Sequence, residues 1–169
     1  MRHHHLERLP SFSYRGLYRY SLTFCTDHRR RTFVNSDVVE LVESQILRAA
    51  SEKSFAVIAY CFMPDHLHLL AEGKTDDADA RRFIGLAKQY SGYYYKKEFN
   101  DGLWQRYGFE RVLRSDEGTR DVVRYILQNP VRAGLVTKAE DYPFLGSGVY
   151  SVIELMEYIQ QGDRNDKSG

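Results

Sequence analysis

Two histidines separated by one residue, His66 and His68, are the side chains best suited to chemistry in this sequence. In a β-strand, residues two apart point to the same face and lie about 6.5–7 Å apart along the chain, so both imidazoles can converge on one cation. Leu67 and Leu69 would then point into the core. Two histidines make an incomplete metal site, so a third ligand must come from elsewhere. Histidines that only pack or face solvent would give the same pattern.

A second candidate pair, Tyr125 and Asn129, is separated by one turn and therefore lies on one face of a predicted helix. Asn129 precedes Pro130, which disfavours helical backbone at the residue before it, so we expect the helix to stop here and free the Asn129 side chain. A phenol beside a carboxamide can supply a nucleophile and an oxygen ligand. A tyrosine that packs between helices and an asparagine that caps a helix are the alternative.

A series of strands and helices must position these side chains. Runs rich in β-branched and aromatic residues predict strands, and apolar residues at helical spacing predict helices. The predicted strands are 17–26, 55–62, one that starts at 66, and 104–113, and the predicted helices are 35–51, 76–99, 116–128 and 150–160. A turn is expected at 145–148 and a frayed polar tail from 162. This order predicts an α+β, ferredoxin-like antiparallel sheet with helices packed on one face, plus a C-terminal helix.

The composition limits the class of protein. A chain of 169 residues suits one domain, and no apolar run approaches the ~20 residues that span a bilayer. The first residues lack the apolar segment of a signal peptide, so we expect a cytoplasmic protein with no membrane partner. The two cysteines, Cys25 and Cys61, form no CxxC motif and are expected to be buried thiols.

Charge is unevenly distributed along the chain. Lys plus Arg is 24 and Asp plus Glu is 23, a net charge of +1, which by itself argues against a strongly basic nucleic-acid-binding protein. However, residues 1–35 carry seven basic and two acidic groups, and residues 81–114 carry eight and three. Tyrosines interleave with these basic groups, notably at 90–97. Phosphate-neutralising groups beside rings on which bases stack suit single-stranded nucleic acid, although scattered solvated side chains are the alternative.

Four segments carry a resemblance to a known family: FCTDHRRRTF (24–33), YCFMPDHLHLL (60–70), LWQRYGFERVLR (103–114) and YILQNPVRAGLV (125–136). Together they resemble the REP-associated tyrosine transposases, a branch of the single-tyrosine HUH transposase family, in order from about Leu9 to Ser147. The resemblance implies one ferredoxin-like catalytic domain at 1–150, followed by a C-terminal helix and tail at 151–169. It also implies that Tyr125 is the nucleophile and that a divalent metal ion, Mg²⁺ or Mn²⁺, is held by His66, His68 and Asn129.

The implied activity is that of a metal-dependent endonuclease and strand transferase. It would cleave and rejoin single-stranded DNA at hairpin-associated sites through a 5′-phosphotyrosine intermediate, as a monomer or a homodimer. The basic residues expected to position the DNA backbone are Arg29, Arg30, Arg31, Lys88, Arg106 and Arg111. Three other functions stay open: a domesticated hairpin DNA-binding module without turnover, a small metallohydrolase that uses bound water, and a structural ferredoxin-like interaction domain.

Overall fold

The computed structural model describes the backbone of residues 15–113 and 116–166 and the side chains of residues 15–108 and 118–164. Its strands are β1 (Arg19–Cys25), β2 (Phe55–Met63), β3 (His66–Gly73), β4 (Phe109–Leu113) and β5 (Leu145–Gly146). They form one antiparallel sheet in the spatial order β4-β1-β3-β2-β5. The first four strands appear in the predicted order, and the ferredoxin-like fold is confirmed.

The histidine-bearing strand, β3, lies at the centre of the sheet between β1 and β2. Its register places His68 opposite Thr23 of β1 and Cys61 of β2. Leu67 and Leu69 are fully buried on one face, as their alternation predicted, and the imidazoles therefore point to the other face. Because strands flank β3 on both sides, the backbone that carries the histidines is held by two hydrogen-bond ladders.

Helices cover both faces of the sheet. Helix α1 (Ser36–Glu52) and helix α2 (Ala80–Phe99) pack against the face that holds Leu67, as the ferredoxin-like pattern predicts. Helix α3 (Asp116–Arg132) and helix α4 (Val152–Asp166) pack on the opposite face. The prediction of helices on one face thus holds for α1 and α2, while α3 and α4 cover the second face, named here the α3/α4 face. The histidines point to the α3/α4 face.

Side chains that cap backbone N–H groups set the starts of α1 and α2. Asn35 Oδ1 accepts a hydrogen bond from the Val38 N–H at 3.1 Å, as an N-cap residue does. Asp79 Oδ1 accepts from the N–H of Arg81 and of Arg82. Helix α2 therefore begins at Ala80, four residues after the predicted start at 76.

A β-bulge between Val57 and Ala59 lets β2 contribute to two cores. Before the bulge Val57 faces α1 and α2, and after it Ala59 and Cys61 face α3 and α4. The extra residue shifts the alternation by one, so β2 presents apolar side chains to different faces at its two ends. This explains why 55–62 is a continuous apolar run instead of an alternating one.

Other predicted boundaries are also wrong, and β4 begins at Phe109, five residues after the predicted start at 104. Helix α3 does not stop before Pro130 but continues to Arg132, because a proline in the last turn removes only one backbone donor. Two residues after Arg132, Gly134 has a positive φ of 74°, the left-handed conformation that glycine adopts readily, and the chain turns away from the helix there. The predicted frayed tail from 162 is helical as far as Asp166, and residues 167–169 lie outside the described range. The predicted turn at 145–148 begins with strand β5.

Candidate active site

The imidazoles of His66 and His68 meet on the α3/α4 face. Their Nε2 atoms are 3.1 Å apart, and the ring planes are nearly perpendicular, at 84°. When two imidazole nitrogens bind the same metal ion, each at about 2.1 Å, they lie about 3.0–3.4 Å from each other. The separation of the two Nε2 atoms therefore suits a shared cation.

Each imidazole is oriented through its other ring nitrogen. His66 Nδ1 lies 2.7 Å from Asp65 Oδ1, and His68 Nδ1 lies 2.9 Å from Thr23 Oγ1 on β1. Arg29 in turn donates from Nε to Asp65 Oδ2 at 3.0 Å. Partners of this kind fix the rotation of a ligand imidazole and leave its Nε2 for a metal ion.

The electrostatics of the site favour a neutral His68. Burial is the main cause that lowers the pKa of His68 to about 3, and Coulombic interactions with His66, Arg132 and Arg29 act in the same direction. Near pH 7 this ring is therefore unprotonated, which is the form that binds a metal ion. Burial alone would raise the pKa of Asp65, but hydrogen bonds from His66 and Arg29 outweigh it, so the pKa lies below its usual value.

Helix α3 brings Tyr125 to the histidines. Its ring centroid lies 5.5 Å from that of His68, with an interplanar angle of 83°. The side chains of Val123, Ile126 and Leu127 are buried against the sheet and hold this part of α3 in place. The Tyr125 side chain, in contrast, is 50% exposed, so a substrate can reach its phenol while the ring touches His68.

Asn129 lies one turn after Tyr125, inside α3. The residue is only 9% exposed, and its side-chain Nδ2 has no hydrogen-bond partner within the described part of the chain. It does not cap the helix, so the alternative of a capping asparagine is wrong. A buried amide without a partner is costly unless a ligand or water satisfies it. A ligand or water that binds on this face could therefore accept a hydrogen bond from the Nδ2 group of Asn129.

The residue types at the site limit how a metal could be held. Among the side chains of residues 15–108 and 118–164, no three from His, Cys, Asp or Glu come together in a metal-binding cluster. A metal at the two Nε2 atoms would therefore need a further ligand of another type. The carboxamide of Asn129 and a substrate phosphate oxygen are both chemically suitable.

Arg132, which was not predicted as a site residue, contacts Tyr125 directly. The Arg132 guanidinium carbon lies 4.0 Å from the centroid of the Tyr125 ring, and Nη2 donates to the Tyr125 carbonyl oxygen at 2.7 Å. The available signal was the spacing, because residues seven apart lie on the same face of a helix two turns along. The predicted helix end before Pro130 excluded Arg132 from that face.

The three arginines of the turn after β1 have different surroundings. Arg29 is paired with Asp65, and Asp65 in turn contacts His66. Arg30 donates from Nη1 to Asp101 Oδ2 at 2.6 Å and pairs with Asp27, so it ties the turn to the end of α2. Arg31 is exposed. Only Arg29 of these three reaches the histidines through a described contact.

The other three predicted DNA-binding residues belong to different parts of the fold. Lys88 Nζ lies 5.0 Å from the ring centroid of Phe24, a core residue on the α1 and α2 side. Arg106 stacks on exposed Tyr107 at 5.6 Å. Arg111 belongs to β4, and its side chain lies outside the described range.

Both cysteines are buried free thiols, which confirms the sequence prediction. Burial raises the pKa of Cys25 and raises that of Cys61 to about 12, so neither is a reactive thiolate near pH 7. Within the described residues, no helix combines the length and the apolar character that crossing a bilayer requires.

The family model described as Transposase IS200 like matches residues 15–129. The chain is 28% identical over 118 residues to the REP-associated tyrosine transposase of Escherichia coli strain K12, covering 68% of each chain. It is 29% identical over 136 residues to a provisionally named REP-associated tyrosine transposase of Haemophilus influenzae, covering 74% of this chain and 77% of the relative.

Among solved structures, a REP-associated tyrosine transposase bound to a REP hairpin matches with a TM-score of 0.70 and 21% identity, covering 83% of this chain and 82% of that chain. At this identity the likeness shows a shared fold. The family model, however, spans more than half of the sequence and includes both histidines and Tyr125. This protein therefore belongs to the IS200-like transposase family.

Proposed function

We propose that this protein cleaves and rejoins single-stranded DNA, with Tyr125 as the nucleophile and with a divalent metal ion held by His66, His68 and Asn129. The observation that carries the proposal is the contact of the exposed Tyr125 ring with His68, whose Nε2 faces that of His66 at 3.1 Å. A phenol and a pair of metal-competent nitrogens are thus side by side on one rigid surface, which is the arrangement that covalent phosphoryl chemistry needs.

The reaction is a transesterification. The phenol oxygen of Tyr125 forms a bond to the scissile phosphorus, the bond from phosphorus to the 3′ oxygen breaks, and the 3′ oxygen leaves as a hydroxyl. One proton leaves the phenol and one is taken up by the 3′ oxygen, so the proton count is unchanged. Attack by another 3′-hydroxyl reverses the step and joins DNA. A bound Mg²⁺ or Mn²⁺ would supply Lewis-acid polarisation of a non-bridging phosphate oxygen.

The protein's own residues prepare this step. Asp65 and Thr23 set the rotation of the two imidazoles, and the lowered pKa of His68 keeps that ring neutral. Tyr125 and His68 are in contact within one chain, which supports an active site assembled in cis. The proposed substrate is a single-stranded DNA hairpin, in keeping with the solved relative that is bound to a REP hairpin.

The test incubates the protein with a labelled library of single-stranded DNA hairpins with randomised stems and flanks, in Mn²⁺ or in EDTA. We expect a covalent protein–DNA adduct and a free 3′-hydroxyl in Mn²⁺ but neither product in EDTA. Hairpin binding without an adduct would favour the DNA-binding module instead. Cleavage without an adduct would favour a metallohydrolase that uses water.

A further inference from the structure

Building on the proposed function, we propose that Arg132 is both the positioning residue for Tyr125 and a binding site for a phosphodiester oxygen of the DNA. The guanidinium lies over the Tyr125 ring at 4.0 Å while Nη2 holds the Tyr125 carbonyl oxygen at 2.7 Å. No residue of the proposed metal site makes either contact. Arg132 therefore lies beside the nucleophile without belonging to the metal-binding set.

Arg132 has N–H donors that the described residues leave unused. A guanidinium has five N–H groups in a planar fork. Of the three side-chain nitrogens of Arg132, only Nη2 has a hydrogen-bond acceptor among the described residues. Arg132 is also exposed. Its remaining N–H groups can therefore bind the two non-bridging oxygens of a phosphodiester, the paired acceptors that the planar fork of arginine recognises best.

The positive charge of Arg132 is not balanced within the described part of the chain. Arg29 and Arg132 both act electrostatically on His68, but the charge of Arg29 is balanced by Asp65 at 3.0 Å. Arg132 has no acidic partner among the described residues. A positive charge beside the nucleophile that is not neutralised within the protein favours an anion, and the substrate supplies one at each phosphate.

Two contacts hold the Arg132 guanidinium against Tyr125. The cation lies over the face of the Tyr125 ring, and the hydrogen bond to the carbonyl anchors the guanidinium to the same residue. Stacking of a cation on an aromatic face is attractive, so it biases the rotamer of the half-exposed tyrosine. Lysine can supply the charge but neither the planar stack nor the fork.

The phosphate contact is tested by equilibrium binding in a Tyr125→Phe background, which keeps the ring for stacking but has no phenol to form an adduct. The probe is a fluorescent 20-mer of thymidine, titrated at several salt concentrations. Arg132→Gln should reduce the slope of log affinity against log salt by about 0.7, the value of one single-strand phosphate contact. The control is Arg48→Gln, because Arg48 stacks on Tyr90 at 4.2 Å but is paired with Glu52. The proposed phosphate contact would be overturned if Arg132→Gln left the salt slope unchanged. It would also be overturned if the Tyr125→Phe protein bound no DNA with or without Arg132→Gln.

The positioning role is tested by single-turnover adduct formation at saturating hairpin DNA. Arg132→Gln should lower the rate at least tenfold, Arg132→Lys should recover only part of it, and Arg48→Gln should match the wild type. A purely structural residue would change the active fraction but not the rate, so equal rates for Arg132→Gln and wild type would overturn the positioning role. If the wild type forms no adduct, the proposed function fails, whereas the salt slope still decides whether Arg132 binds phosphate.

Discussion

Thr23 Oγ1 lies 2.9 Å from Nδ1 of His68, across the ladder that joins β1 to β3. Thr23 thus determines which nitrogen of His68 is directed at His66. We expect Thr23→Val, which keeps the shape but removes the hydroxyl, to weaken Mn²⁺ binding about 10–100-fold, as loss of an outer-shell partner does. Titration calorimetry measures the affinity. Thr23→Ser should bind like the wild type, and so should Thr32→Val in the neighbouring loop. Unchanged affinity in Thr23→Val would show that the hydroxyl does not orient the ring.

Acid stability should report the environment of His68. Because the pKa of His68 falls from 6.5 to about 3 on folding, the unfolded state binds more protons between these values. The contribution of neutral His68 to the free energy of unfolding is therefore fully present above about pH 6.5. It is lost as the pH falls towards 3, by up to about 1.4 kcal/mol per pH unit. Urea unfolding at pH 4.5 and 6.5 measures the loss. His68→Gln should reduce the loss of unfolding free energy between pH 6.5 and pH 4.5. His28→Gln, at an exposed turn, should leave that loss unchanged. Equal losses in all three proteins would contradict the assignment.

The exposed end of α2 is a second place where DNA should bind. Tyr93, Lys96 and Lys97 are exposed on this helix, which packs on the side of the sheet opposite the histidines. We expect the double variant Lys96→Glu, Lys97→Glu to weaken binding of single-stranded DNA about tenfold. This loss of affinity should be smaller at high salt. The rate at saturating DNA should be unchanged because these residues lie far from Tyr125.

A charge-matched control separates a local contact from net charge. Lys74 and Lys138 are also exposed, and reversing both changes the net charge by the same amount. Anisotropy titrations of the two double variants measure the difference. An equal loss of affinity in both would show that α2 carries no specific DNA contact.

Helix α4 should be integral to the fold. Leu155 is 3% exposed and packs with α3 on the α3/α4 face, whereas Ile153 on the same helix is 70% exposed. Leu155→Ala should lower the free energy of unfolding by about 3 kcal/mol, and Ile153→Ala should change it by less than about 0.5 kcal/mol. Urea denaturation measures both. Similar small effects would indicate that α4 does not support α3.

The central features of the site could be predicted because they follow local periodicity. Alternation around His66 and His68 requires only that β3 be a strand, and the helical spacing of Tyr125 and Asn129 requires only that α3 be a helix. The face on which α3 packs could not be predicted, because it depends on the path of the chain after β4. The end of α3 was mispredicted for a similar reason: Pro130 is a local signal, but Gly134 supplies the actual termination.

Arg132 shows how one wrong boundary affects the prediction of a site. With the helix ended before Pro130, Arg132 had no predictable position relative to Tyr125. With the helix continued, the spacing of seven residues places the guanidinium over the ring. The β-bulge after Val57 was equally hidden, since a continuous apolar run does not show where its alternation shifts.

The most direct test of the account is the covalent attachment of DNA to Tyr125. Wild type, Tyr125→Phe and Tyr150→Phe are incubated with the hairpin library in Mn²⁺, and adducts are resolved on denaturing gels and mapped by mass spectrometry. Tyr150 is the control because it is 47% exposed, close to the 50% of Tyr125, but belongs to the segment before α4. The account predicts a phosphotyrosine adduct at residue 125 in wild type and Tyr150→Phe and none in Tyr125→Phe. An adduct that persists in Tyr125→Phe, or that maps to another residue, would contradict it.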